Sequence, residues 1–289
     1  SRLPRAREAL RLEVASQRAL LEEEQPLLGT GAAMTRLLEE VRRAGASELN
    51  VLITGESGVG KELVARSLHH ASPRAAGPFV EVNGAAIPED LLESELFGHL
   101  KGSFTGATED RKGKWELAHG GTLFLDEVGD MSPRTQAKIL RAIQDGRVSR
   151  VGSTKAIATD VRIVTATNRD LPRMIAEGSF REDLYFRLAV VPIRVPPLAE
   201  RPEDIPILVG HFAERLARRR GRRPQTFSPE ALEELKRRRW RGNVRELQNL
   251  VERALLMSDD PVVGAADLPA EDPGARRAAA SAGETEALL

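Results

Sequence analysis

No cysteine occurs among the 289 residues, which excludes disulfides and thiolate-held metals and fits an intracellular chain. No apolar run approaches the roughly 18 to 20 residues that span a bilayer, and the opening SRLPRAREAL lacks a signal peptide's apolar core. No membrane partner is expected, and the expected location is cytoplasmic. Net charge is absent too: 43 Lys and Arg balance 43 Asp and Glu. That gives no global argument for nucleic acid or anionic lipid as partner and leaves local basic runs to be explained. The histidines form no metal constellation, since His69 and His70 are adjacent and His99, His119 and His211 are scattered. No internal repeat is visible. What is present is an ordinary globular balance, 41% apolar and 30% charged, at a length that suits one large domain with a smaller companion.

Residues 1–25 contain RAREALRLEVASQRALLEEE, charged and free of glycine, which predicts a linker helix with a narrow apolar stripe. Over 26–197 short apolar runs alternate with amphipathic segments: NVLIT, FVEVN, TLFLDE, VRIVTATN and VVPIRV. That alternation predicts an α/β unit, a parallel sheet flanked by helices. One helix is signalled at both ends, by Ser132 and Pro133 at its start and Gly146 at its stop, with Ile139, Leu140 and Ile143 as its stripe. Residues 198–268 show helical patterns and no strand candidate, which predicts a small all-helical lid. Residues 269–289, rich in Ala, Gly and charge, read as a disordered tail or linker.

Between NVLIT and LVARSL lies GESGVGKE: Gly55, Glu56, Ser57, Gly58, Val59, Gly60, Lys61 and Glu62. Glycines at this spacing let backbone N–H groups turn toward a phosphate, the following helix adds its positive end, and Lys61 reaches the terminal phosphates. The bland alternative is a glycine-rich turn that binds nothing. A second apolar strand ends in Asp126 and Glu127, where the first carboxylate would hold magnesium and the second would polarise a water for attack on the last phosphate. A nucleotide's phosphates and Mg2+ are therefore the expected ligands here, and the resemblance given below makes the nucleotide ATP. Glu62 stands where Ser or Thr usually follows the lysine, so the metal would rely on Asp126, phosphates and water. Asn168, after VRIVTAT, would meet the terminal phosphate or the water, and Asn83, after FVEV, would restrain Glu127 through a hydrogen bond. Either asparagine could instead be a loop cap. Asp130 reads as a surface acid. In LKGSFTGAT a Phe and a Thr flanked by glycines predict an exposed loop that meets a partner.

Together GESGVGKE, ELFGHLKGSFTGA, GGTLFLDE, ATNRDL, FREDLYFRL and GNVRELQN resemble, in order, the AAA+ central domain of bacterial enhancer-binding proteins, the activators of sigma-54 RNA polymerase. The likeness runs from about Leu28 to Leu268. In that family a glutamate after the loop lysine is usual. The resemblance implies an ATPase that remodels the sigma-54 RNA polymerase holoenzyme from closed to open promoter complex. It also implies a homo-oligomeric ring, usually a hexamer, with ATP between subunits and arginines supplied by the neighbour. Arg181 and Arg187 are the candidates, and pairing with Glu182 and Asp183 is their bland alternative. Placed on one helix they would stand about 120° apart and would do different jobs. Arg245 resembles the family's second sensor, reaching the phosphates from the lid. Gly102, Ser103, Phe104, Thr105, Gly106 and Ala107 match the loop that contacts sigma-54, with Ser103 in place of the usual alanine and Leu100 in place of a glutamate. Enhancer DNA would be held by a helix-turn-helix not visible in this chain. Two basic runs, Arg218–Arg223 and Lys236–Arg241, read as solvated helix faces or nucleic-acid contacts. The alternative functions are an ATP-dependent assembly module and an AAA+ remodeller of another protein substrate.

Overall fold

The five apolar runs are the five strands of one parallel sheet: β1 (Val51–Thr54), β2 (Phe79–Asn83), β3 (Thr122–Asp126), β4 (Arg162–Thr167) and β5 (Val191–Arg194), in spatial order β2-β3-β4-β1-β5. They belong to a computed structural model that describes residues 26–104 and 107–270. The helix expected within 1–25, nearly all of the expected tail, and Thr105 and Gly106 lie outside the described residues. The chain divides into two compact units, one ending at Arg201 and one starting at Pro202.

Alternation along the strands explains why the sheet is covered on both faces. Leu52, Leu123, Leu125 and Ile163 face one layer, with Leu96, Trp115, Ile139 and Leu184. Their chain neighbours Val51, Ile53, Phe124 and Val164 face the other, with Met34, Leu37, Val64 and Leu68. Both sets are apolar, so these strands read as continuous apolar runs. The covering helices include α1 (Ala32–Gly45), α2 (Lys61–His70), α3 (Glu89–Phe97), α4 (Pro133–Asp145) and α5 (Glu182–Leu188). In α4 the expected signals are realised: the Ser132 hydroxyl accepts the Thr135 N–H at 3.3 Å, and Gly146 ends the helix at φ +61°. Buried Arg162, at the start of β4, donates to the carbonyls of Ala44 and Gly45 at 2.8 and 3.1 Å and so serves the last turn of α1.

The second unit is a helical lid of α6 (Ile205–Arg220), α7 (Pro229–Arg237) and α8 (Asn243–Met257), with Phe212, Leu235, Trp240, Leu247 and Val251 in its core. Ser228 caps α7 by accepting the Ala231 N–H at 3.2 Å. A two-residue parallel pairing, Thr226–Phe227 with Val262–Val263, adds to the helices; a run this short carries no periodicity to read. In the basic runs Arg218 pairs with Glu214, Lys236 with Glu233 and Arg238 with Glu234, one turn apart on their helices. Arg238 also donates to the Pro269 carbonyl at 2.8 Å, so it ties the end of the unit together.

Candidate functional site

Because the five strands are parallel, their C-terminal ends share one edge, and the register there pairs Asn83 with Asp126 and Thr54 with Thr167. The chain leaves β1 at this edge as the loop Gly55–Gly60. Gly58 and Gly60, at φ +77° and +103°, occupy backbone space that a side chain disfavours, and Gly60 opens α2. Lys61, only 7% exposed, donates to the Gly55 and Glu56 carbonyls at 3.1 and 3.3 Å and lies 3.3 Å from the Glu127 carboxylate. Val59 is buried, whereas Glu56 and Ser57 face solvent.

Glu127 sits in the left-handed region, φ 51° and ψ 50°, at a cost of about 1–2 kcal/mol for a residue with a side chain. One carboxylate oxygen meets Lys61, and the other accepts the Asn168 backbone N–H at 3.1 Å. Asp126 beside it accepts the Glu127 N–H at 3.0 Å and the Asn83 side-chain amide at 3.1 Å. This corrects the expectation for Asn83: its amide holds Asp126, not Glu127. The cause is the register, which sets the two side by side, while the left-handed turn sends Glu127 toward Lys61. The Asn83 carbonyl oxygen accepts the N–H groups of Ala85 and Ala86, both at 3.0 Å, and fixes the amide's orientation.

Burial, and next the Glu127 charge, raise the Asp126 pKa above the ordinary carboxylate range, with Lys61 opposing. A raised native value means the folded chain holds this proton where the unfolded chain has lost it, so stability falls as pH rises through that window. Replacing Asp126 with Asn removes this slope, whatever fixed offset the altered hydrogen bonds bring. The melting temperature of Asp126→Asn minus that of the parent is therefore expected to increase from pH 4.5 to pH 8 without nucleotide or magnesium. Scanning calorimetry reads it, and a difference independent of pH would refute the assignment.

Glu62, in the usual hydroxyl position, is turned sideways: Arg66 pairs with it at 2.8 Å and with Glu81 of β2 at 3.0 Å, and the guanidinium lies over Phe79. Burial, followed by the Glu62 charge, raises the Glu81 pKa. The sequence reading does not reach Arg66. Its spacing of four from Glu62 was the available signal, but its second partner becomes visible only once β2 is placed.

The remaining candidates lie on other elements. Arg181 precedes α5 in extended conformation, so the angular estimate for two arginines on one helix does not apply. Its guanidinium is taken by Asp183, at 3.0 and 2.6 Å. Arg187, within α5, is exposed and makes no ion pair with any described residue. Asn168 is exposed at the end of β4, and Arg245 is exposed in the first turn of α8, within the second unit. Asp130 is exposed and accepts from Arg169 at 2.8 Å.

The 102–107 loop grows from a short pairing of Gly98–His99 with Arg111–Lys112. Phe104 is 37% exposed and packs edge-on against His99, whose Nδ1 lies 2.7 Å from the Ser94 hydroxyl. Gly102 donates to the Ala107 carbonyl at 2.8 Å, and Ala107 is buried. Ser103 packs onto Gly152 with its hydroxyl buried and unpaired among the described residues. The alanine usual in the resembled loop would avoid that unmade hydrogen bond.

Two family models match. One described as the sigma-54 interaction domain covers residues 27–194, and one described as the AAA+ ATPase lid domain covers 199–285. The Nif-specific regulatory protein of Herbaspirillum seropedicae is 53% identical over 231 residues, 80% of this chain and 43% of that protein. The DNA-binding transcriptional regulator NtrC of Azospirillum brasilense is 52% identical over 243 residues, 84% of this chain and 50% of that protein. Among solved structures, NtrX from Brucella abortus in complex with ATP superposes with a TM-score of 0.82 at 45% identity, over 91% of this chain and 58% of that one. The chain spans about half the length of the curated relatives it matches. Among the described residues no helix is long and apolar enough to cross a membrane. The sheet order, the glycine loop before α2 and the following helical unit agree with these matches, and the chain belongs to the sigma-54 interaction domain family, an AAA+ domain with a helical lid.

Proposed function

We propose that this chain is the ATP-hydrolysing motor of a sigma-54-dependent activator, and one observation carries the reading. Glu127, in strained backbone at the end of β3, is held between Lys61 of the glycine loop and the Asn168 N–H. Strain of this kind concentrates where a side chain must be aimed. When ATP binds, its phosphates compete for the loop N–H groups and for Lys61. Glu127 then keeps only the Asn168 N–H and is free to accept a proton from an attacking water. Asn168 borders the same water. Asn83 fixes Asp126, the residue that would hold magnesium.

The donor set fits that ion. Asp126 is a half-buried carboxylate beside a second anion, Glu127, with Lys61 as its nearby cation. Magnesium commonly keeps several waters, so one protein carboxylate would be completed by phosphates and water. When bound, magnesium neutralises charge on the phosphates. Arg187 of a neighbouring copy would stabilise the transferring phosphoryl group, and the loop 102–107 would carry Phe104 to sigma-54.

The test is ATP hydrolysis per subunit against protein concentration, with sigma-54 binding measured in a state trapped by a phosphate analogue. Specific activity is expected to climb and then saturate as shared sites assemble, and the trapped state is expected to bind sigma-54. Activity without sigma-54 binding would leave a remodeller of another substrate. No activity at any concentration would overturn the motor reading.

A further inference from the structure

The basic run Arg218–Arg223 ends α6 and carries the chain past it. Arg218 pairs back with Glu214, in the manner of a cation in the last turn of a helix. Arg220, Arg222 and Arg223 do not: their side chains make no ion pair or hydrogen bond with any described residue. All three line one cavity of about 300 Å³ within the helical unit. Gly221 stops α6 at φ +61°, and the Arg222 N–H returns to the Ala217 carbonyl at 3.0 Å, which brings the residues beyond the helix to the same cavity as Arg220.

The rest of the lining is apolar and fixed. Ala213, Leu216 and Ala217, at helical spacing on α6, share it with Leu255 of α8. Gln225 ties the remaining wall, since its side-chain amide donates to the Ser258 and Asp260 carbonyls at 2.9 and 2.7 Å. Ala213, Ala217 and Leu255 are buried and the arginines exposed, so the apolar surface lies deep and the charge at the mouth. A preformed apolar cavity of this size with a few polar groups is the usual form of a small-molecule site. Its charge points to the sign of the ligand. Three guanidiniums are set against the Asp259 carboxylate and the ends of α6 and α8, each end worth about half a negative charge, and about one positive charge is left over. No aromatic side chain is among the lining residues, so the stacking that a nucleic-acid strand would use is missing. We propose that this cavity binds a small organic anion, an aromatic or alicyclic acid whose ring rests on Leu216 and Leu255 and whose carboxylate, sulfonate or phosphate is held by Arg220, Arg222 and Arg223. The inference stands apart from the ATP reading.

The probe is anilinonaphthalene sulfonate, titrated by fluorescence into the whole chain with excess ADP and magnesium to occupy the nucleotide site. Phenylnaphthylamine, the same rings without the sulfonate, is the charge control. The sulfonate is expected to bind at one site per chain, at least ~10-fold tighter than the neutral compound. Arg220→Gln and Arg223→Gln are each expected to weaken it by about 3-fold, and the double replacement by about 10-fold. Arg218→Gln, in the same run but outside the cavity, is expected to stay within ~2-fold, and Asp259→Asn to tighten binding by about 2-fold. These side chains are exposed, so circular dichroism of the variants is expected to match the parent. Equal loss in Arg218→Gln would reduce the site to a diffuse basic surface, and equal binding of the neutral compound would reduce it to an apolar patch; either overturns the proposal. Sulfonate binding that no replacement weakens, or none up to ~1 mM, overturns it as well.

Discussion

Glu127→Gln is expected to lower ATP hydrolysis by about 10²- to 10⁴-fold, the range for loss of a positioned general base, while ATP binding stays intact or tightens. Glutamine matches the shape and keeps an oxygen for the Asn168 N–H, so the left-handed turn has no new clash. It cannot take a proton from water. It also releases Lys61, whose ammonium lies 3.3 Å from the Glu127 carboxylate and would otherwise be shared between that anion and the incoming phosphates. Loss of rate and retention of affinity are therefore coupled consequences of one contact. Phosphate release and equilibrium ATP binding on the same preparation measure both. Equal hydrolysis by parent and variant would remove Glu127 from the chemistry, and parallel loss of binding would assign it to the fold of the site instead.

How far the sequence carries this reading depends on which feature repeats along the chain. The strands were legible because each is a contiguous apolar run, and α4 because Ser132, Pro133 and Gly146 mark both ends. The glycine loop and the acids closing β3 were legible because their chemistry lies in adjacent residues. The contacts that decide roles were not. Whether Asn83 reaches Asp126 or Glu127 depends on a register between β2 and β3 and on one positive φ at Glu127, neither of which leaves a trace in residue type. Arg66 and Arg201 carry no mark in residue type either, since their partners, Glu81 on β2 and the Val59 carbonyl in the glycine loop, are 15 and 142 residues away in the chain. Two-residue pairings such as Gly98–His99 with Arg111–Lys112 fall below the length at which alternation can be seen.

Arg187→Ala is expected to cost about 10³-fold or more in hydrolysis, the range for an arginine supplied to a transferring phosphoryl group, and Arg181→Ala far less. The sequence expects different jobs of these two residues without saying which does which. The structure separates them, since Arg181 is chelated by Asp183 and Arg187 makes no ion pair with any described residue. An exposed surface pair such as Arg181–Asp183 is weakly held, but Arg187 needs no release at all. Beside it Phe186 is 65% exposed, an apolar ring whose burial against another copy would accompany delivery of the arginine. Whether Arg187 acts in its own subunit or in the next is settled by mixing Arg187→Ala with Lys61→Ala. Each is expected to be inactive alone, the first for want of the arginine and the second for want of a phosphate grip. If the arginine crosses the interface, Lys61→Ala subunits supply it to intact sites on their neighbours, and about one interface in four is complete in a random equimolar ring. Recovery of activity on mixing would establish the shared site. A mixture as inactive as its components would mean that Arg187 serves its own subunit, and the ring would no longer be required for chemistry.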